Sequence, residues 1–291
     1  MARDLRRAAE AAVQLDSATA EIEEIEIRLL LEAIRLAYGY DFREYALPPL
    51  RRGIVTAMAS EGVSTISAYQ DRILHDASCI QRFLGVVGMN VTSLFRDAEL
   101  MRALREEVIP VFRTFPSVRI WVAGCATGEE VYTLAIVLAE EKMLDRATIY
   151  ATDLNEDTLA VARTGAYGVD KVRRCEEQYQ RSGGRRRLAD YYTVSNRSAR
   201  FDRVLQNNVT WARHNLVTDA SFNDFHMVLC ANVLIYFRSN LQERVHRLFY
   251  DSLVRSGFLA LGKRESLDHC PERDHYERVL AGVNLFRKMR W

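Results

Sequence analysis

The chain has 291 residues, 48% hydrophobic and 27% charged, with 40 Lys and Arg against 39 Asp and Glu and a formal net charge of +1. That balance suits a soluble globular protein with one large core or two smaller ones; it argues against a disordered chain and leaves no bulk field to hold nucleic acid or an anionic membrane. No apolar run reaches the roughly 18 residues of a membrane span, the charged N-terminus lacks a signal-peptide pattern, and five scattered cysteines without C-x-x-C spacing argue against a disulfide framework or zinc site. A metal-free protein of the reducing cytoplasm, with no membrane insertion, is expected.

In chain order, residues 1–20 are rich in Ala and charge and read as a loosely held helix or a tail, with no function assigned. From Glu21, the residues Ile22, Ile25, Leu29, Ala33 and Leu36 recur at helical spacing, and Gly39 supplies a C-terminal cap. Helices over 43–61, 65–75 and 77–87, punctuated by Pro48-Pro49 and Gly62, complete a helical domain spanning 21–88. The pattern then changes. Apolar runs at 118–122, 148–152, 209–212, 226–230, 258–262 and 284–287 alternate with helical segments, so 89–291 reads as an α/β domain with a mostly parallel sheet covered on both faces. Between the second and third strands, 168–206 breaks the alternation with Gly183-Gly184, Arg185-Arg186-Arg187 and two alternating stretches around Ser195-Asn196-Arg197-Ser198; it reads as an inserted helix and hairpin.

The segment 120–130, Ile-Trp-Val-Ala-Gly-Cys-Ala-Thr-Gly-Glu-Glu, is a strand turning through Gly124 and Gly128 into a helix. Its glycines let the backbone approach a ligand closely. Asp153, 25 residues after Gly128, ends the next strand, where it can accept hydrogen bonds from both ribose hydroxyls of an adenosine-bearing cofactor. A dinucleotide sets its pyrophosphate on the helix N-terminus and needs that end free of fixed anions. Glu129 and Glu130 occupy that first turn; unless they are only good first-turn residues, they repel phosphate and attract a sulfonium, which favours S-adenosylmethionine over NAD. Ligands of open α/β sheets lie beyond the carboxyl ends of the strands. Asn215-Leu216 follows the third strand there, with Asn215 able to meet an adenine edge, and Ala231-Asn232 with Tyr236 follows the fourth. Tyr236 reads equally well as an amphipathic core aromatic. In 90–97, Asn-Val-Thr-Ser-Leu-Phe-Arg-Asp, composition alone makes Thr92 or Ser93 a helix cap and Arg96 a solvated charge.

Five ordered blocks nevertheless make the chain resemble the CheR family of chemotaxis receptor glutamate O-methyltransferases over about residues 25–267: Tyr38-Gly39-Tyr40-Asp41-Phe42 with Leu50-Arg51-Arg52, then 90–97, 121–130, Ala151-Thr152-Asp153 with 162–167, and 232–237. The resemblance implies an all-helical N-terminal domain and a Rossmann-like S-adenosylmethionine-dependent methyltransferase domain carrying a small inserted β-subdomain. It implies that Asn90, Thr92, Arg96, Glu130, Asp153, Asn215, Leu216, Ala231 and Asn232 line the cofactor site together with Gly124, and that Arg96 and Tyr236 lie nearest the methyl group. The implied reaction converts glutamate side chains on the cytoplasmic, glutamate-rich coiled coil of a chemoreceptor to methyl esters and releases S-adenosylhomocysteine.

Residues 167–213 carry eleven Lys or Arg against five Asp or Glu, and Arg51 and Arg52 add basic charge as substrate-binding candidates facing that acidic coil. The chain departs from the family at Cys230-Ala231-Asn232, where Cys-Arg-Asn is usual, and in 261–266, which is more basic than usual. The tip 195–198 lacks the glycine of members that grip a receptor's C-terminal peptide, so no pentapeptide tether is expected. A monomer is the default. Two other readings are a non-catalytic S-adenosylmethionine-binding signalling module, suggested by Ala231 but opposed by Arg96, Asn232 and Tyr236, and a methyltransferase for another acceptor such as nucleic acid. Val233-Leu234 opposes the latter, because that class places proline and an aromatic there, and no aromatic-rich basic strand offers base stacking.

Overall fold

A computed structural model of the protein describes residues 2–87 and 92–289, with side chains from residue 20 onward. The chain divides into two units, 1–87 and 88–291.

Proline and glycine set the helix ends of the first unit: α1 (Ala2–Tyr38), α2 (Leu47–Glu61), α3 (Ile66–His75) and α4 (Ala77–Val87). Proline enters α2 in its first turn, where a missing N–H costs nothing, and Gly62 ends it in the left-handed region at φ 69°. Thr65 caps α3 by accepting the Ala68 N–H at 3.1 Å. The Gly39 N–H donates to the Arg35 carbonyl at 2.9 Å, closing α1 as expected. The buried face of α1, however, is not the stripe expected from the sequence. Ile22, Ile25, Leu29 and Leu36 are all more than half exposed, whereas Ile27, Leu30, Leu31 and Ile34 are buried together with Ile54, Tyr69, Ile73 and Phe83. Residues 2–20 belong to this same helix, the first of the two readings their composition allows.

The second unit contains α5 (Ala98–Ala103), which continues through a π-helical turn (Leu104–Val108) into α6 (Ile109–Phe112). Next come β1 (Val118–Ala123), α7 (Glu129–Glu140), β2 (Ala147–Asp153) and α8 (Glu156–Thr164). The insertion holds β3 (Ala166–Gly168), α9 (Val169–Arg173), α10 (Glu176–Arg181), β4 (Tyr192–Ser195) and β5 (Ser198–Phe201). The main sheet resumes with β6 (Val209–Arg213), β7 (Phe225–Cys230), α11 (Ser239–Ser252), β8 (Leu253–Leu261), β9 (Tyr276–Arg278) and β10 (Leu285–Lys288).

The main sheet runs β6-β2-β1-β7-β8-β10-β9, with the first five parallel and β10 antiparallel to both its neighbours. All six expected strands are present; β9 was not expected, and β8 begins before the expected run. The strand order reverses between β1 and β7, so ligands bind beyond the carboxyl ends of β1, β2, β6 and β7. Trp121 on β1 is fully buried, and its indole N–H donates to Thr152 Oγ1 at 2.8 Å, tying β1 to β2 close to that edge.

The expected insertion of one helix and one hairpin is corrected to two helices and a three-stranded antiparallel sheet, β3-β5-β4. The β4–β5 turn, Asn196-Arg197, has positive φ at both residues (48° and 61°), the geometry of a two-residue hairpin turn usually met by glycine.

Candidate active site

The β1–α7 loop is built from three left-handed residues, Gly124 (φ 70°), Ala126 (φ 47°) and Gly128 (φ 91°). A Cβ on Gly124 would lie 2.5 Å from Val233 Cγ2, so only glycine lets this loop pack against the loop after β7. The turn presents the Ala126 N–H to Asp153 Oδ2 at 2.9 Å, while the Asn155 N–H donates to Asp153 Oδ1 at 3.0 Å. Both oxygens are thereby aimed, and each keeps a lone pair for a diol.

The two first-turn glutamates separate. Glu129 is 1% exposed; its Oε1 meets Lys171 Nζ at 2.5 Å and its Oε2 accepts the Thr127 hydroxyl at 2.6 Å. It anchors α9 of the insertion to α7, so its expected part in attracting a cation is corrected to a structural one. Glu130 has no hydrogen-bond or ion-pair partner among the described residues. Burial foremost, then the charges of Glu265 and Asp97, push its carboxyl up to about 8 against the opposing pull of Arg96. An unpartnered carboxyl among other acids fits a ligand that brings positive charge.

The loop after β7 is held by a residue the sequence reading passed over. Glu265 is buried, and its carboxylate accepts four backbone N–H groups: Gly262 at 2.7 Å, Val233 and Leu234 at 2.8 Å, and Asn232 at 3.0 Å. Asn284 closes the other side by donating to the carbonyls of Gly262 (2.9 Å) and Glu265 (2.6 Å). This clamp holds Asn232 at φ 62°, a conformation tolerated by asparagine, and sets Ala231 and Asn232 beside the glycine loop. Tyr236 follows on a 3-10 turn (Leu234–Tyr236) and is half-buried. The signal in the sequence was only an acid three residues after a strand-ending glycine.

Arg96 is displayed by an equally specific turn. Buried Phe95 adopts φ 52°, donates its N–H to Thr133 Oγ1 on α7 at 3.0 Å and packs edge-on to Tyr179 with ring centroids 5.1 Å apart. Asp97, rather than Thr92 or Ser93, caps α5 by accepting the Leu100 N–H at 3.1 Å. Arg96, Asn232, Arg181, Lys263 and Arg264 line one cavity of about 400 Å³, which Tyr236 does not line.

Of the other expected cofactor residues, Thr92 is half-buried and Leu216 buried. Asn215 uses its side-chain oxygen on the Val217 N–H at 2.9 Å, which leaves its amide group to meet a base. Asn90 lies outside the described residues. In the helical unit, Arg51 forks onto Glu23 through contacts of 2.5 and 2.7 Å, and Arg52 is exposed. No group of acids, histidines and cysteines able to hold a metal occurs among the described residues, and no helix among them is long and apolar enough to cross a membrane.

The carboxyl groups of Asp153 and Glu130 suit an adenosine that carries a positive charge better than a pyrophosphate, and the class they define is the S-adenosylmethionine-dependent methyltransferases. Residues 25–87 match the CheR methyltransferase all-alpha domain and residues 90–280 its S-adenosylmethionine-binding domain. The chain belongs to the CheR methyltransferase family, and its cofactor is S-adenosylmethionine. Cher3 of Pseudomonas putida is 45% identical over 265 residues, covering 91% of this chain and 97% of that protein. The chemotaxis protein methyltransferase of Listeria innocua is 28% identical, covering 79% of this chain and 85% of its own. That of Escherichia coli is 27% identical, covering 66% of each.

Glu130 is expected to make cofactor binding depend on pH. Because its folded-state value is raised to about 8, the free protein keeps it protonated at neutral pH, and the stability it contributes is full below the ordinary carboxylate range and lost as pH rises through about 8. A cationic ligand beside it favours the ionised form, so about one proton is expected to leave at pH 7 when S-adenosylmethionine binds. Calorimetry in buffers of different ionisation enthalpy measures this release, and Glu130→Gln should abolish it. Equal release from both proteins would assign the proton elsewhere.

Proposed function

We propose that the protein transfers the methyl group of S-adenosylmethionine to glutamate side chains of a chemoreceptor or related signalling receptor, acting in the cytoplasm on a glutamate-rich coiled coil. The observation that carries this reading is that Arg96 and Asn232 line one cavity together with Arg181, Lys263 and Arg264, a basic lining suited to a carboxylate. A glutamate carboxylate is already ionised at neutral pH, with an ordinary pKa of about 4.3, so attack on a sulfonium methyl needs no general base. What the reaction needs is alignment. A guanidinium can orient both carboxylate oxygens through a two-point fork, a task suited to Arg96. Tyr236, half-buried on the turn beyond Asn232, serves as a second donor once substrate and cofactor occupy the site.

The test is transfer of labelled methyl from S-adenosylmethionine to receptor-containing membranes of the source organism, scored as volatile methanol released by base. Base-labile label is the expected result. Base-stable label would indicate another acceptor, and cofactor binding without transfer would favour a non-catalytic signalling module.

A further inference from the structure

We infer that the mouth of the Arg96 cavity holds a subsite for a second carboxylate on the acceptor, beside the reacting glutamate, and that Glu99 occupies this subsite in the free protein. The inference rests on the proposed glutamate acceptor and specifies what flanks it.

Three segments converge at this mouth: the first turn of α5 with Glu99, the last turn of α10 with Arg181, and the turn after β8 with Lys263 and Arg264. Glu99 stands between two cations, its Oε1 3.9 Å from Arg181 Nη2 and its Oε2 3.7 Å from Lys263 Nζ. Both distances exceed those of a charge-assisted hydrogen bond, and all three side chains are more than half exposed. Such pairs contribute little and exchange readily with an incoming anion.

The charges at the cavity do not balance. Among the residues lining it, the cations Arg96, Arg181, Lys263 and Arg264 outnumber the acids Asp97 and Glu99. The Asp97 carboxylate is committed to capping α5, and Arg264 pairs with no acid among the described residues. One acceptor carboxylate oriented by Arg96 still leaves three cations sharing Glu99. A neighbouring acidic side chain on the acceptor would displace Glu99 and take up Lys263 and Arg181. Glu99 is thus an internal stand-in for the substrate's flanking acid, and the mouth selects acceptors that carry acidic neighbours.

The experiment starts from a receptor cytoplasmic fragment methylated by the protein, with the modified glutamate located by mass spectrometry. Acidic residues within one helical turn of that site are changed to Gln, and kcat/KM is measured on the original and neutralised fragments. For the unmodified protein the neutralised fragment should be about five-fold poorer, the upper end of what a half-exposed ion pair contributes. The Arg181→Ala, Lys263→Ala double variant should lose this preference, and Lys263→Glu should invert it. Glu99→Gln should raise kcat/KM on the original fragment about two- to five-fold, a gain that a damaged fold would not produce. An unchanged preference in the double variant, or no gain from Glu99→Gln, would overturn the subsite while leaving receptor methylation standing. Absence of base-labile label on any receptor fragment would remove the methylation reading, and the subsite with it.

Discussion

Replacing Arg96 with Ala is expected to cut methyl transfer by at least ~100-fold, the loss that follows when a reacting group is no longer held in line. The effect should fall mainly on kcat. The Phe95 turn spends a left-handed backbone conformation and a hydrogen bond to Thr133 on presenting this one side chain to the cavity. Arg96→Lys separates charge from geometry: a lysine keeps the positive charge but cannot form a two-point fork, so its turnover should stay well below that of the unmodified protein. Near-normal turnover in Arg96→Ala would remove this residue from the reaction. Because Arg96 also opposes the upward push on Glu130, the Ala variant should keep Glu130 protonated to still higher pH, and proton release on cofactor binding reports this independently of turnover.

The second large effect expected is on stability. Arg105, in the π-helical turn, is 6% exposed at its side chain and meets Glu140 at 2.5 Å, the last residue of α7, and Glu141 at 3.3 Å, the residue that caps it. Its Nε also donates to the Ser182 carbonyl of the insertion at 3.0 Å. Burial alone would raise Glu140, but hydrogen bonds from Tyr179, the Arg185 N–H and Tyr191, with the charge of Arg105, hold its carboxyl below the ordinary range. Arg105→Ala leaves two buried carboxylates without their central cation and should cost about 3–5 kcal/mol. In a unit of this size that lowers Tm by roughly 10 °C. Arg113 and Arg185 also contact Glu141 but are more than half exposed, so Arg113→Ala should cost no more than about 1 kcal/mol. Equal losses from Arg105→Ala and Arg113→Ala in thermal unfolding would refute the buried cluster as the anchor of the insertion.

What could be read from the chain depended on whether the determinant was local. The glycine loop and Asp153 were readable because a strand, a tight turn and a helix start each leave a short pattern, and the parallel strands because both faces are apolar. Strand β9 escaped because Glu277 and Arg278 are exposed at a sheet edge, and β3 because it is only three residues long. On α1 two apolar stripes share the same period, and spacing alone cannot tell which one meets α3. Glu129 and Glu130 are adjacent in sequence, yet their roles diverge because Lys171, 42 residues further on, captures the first. Glu265 left only the faint signal of an acid soon after a strand-ending glycine, since its four donors come from two loops that meet only in the folded sheet.

All five cysteines are unpaired and buried, Cys79 in the helical unit and Cys125, Cys175, Cys230 and Cys270 in the catalytic unit. Burial first, with nearby carboxylates, raises the thiols of Cys125 and Cys230 well above the ordinary range, so neither reacts until its surroundings open. The chain therefore carries two native clocks for a thiol reagent, one reading the opening of the helical bundle through a single sulfur and the other the opening of the sheet. Cys125 sits between Gly124 and Ala126, inside the loop we propose receives the cofactor. If the cofactor seats on that loop, the labelling rate of Cys125 is expected to fall when S-adenosylmethionine is added, and an unchanged rate would count against that seat.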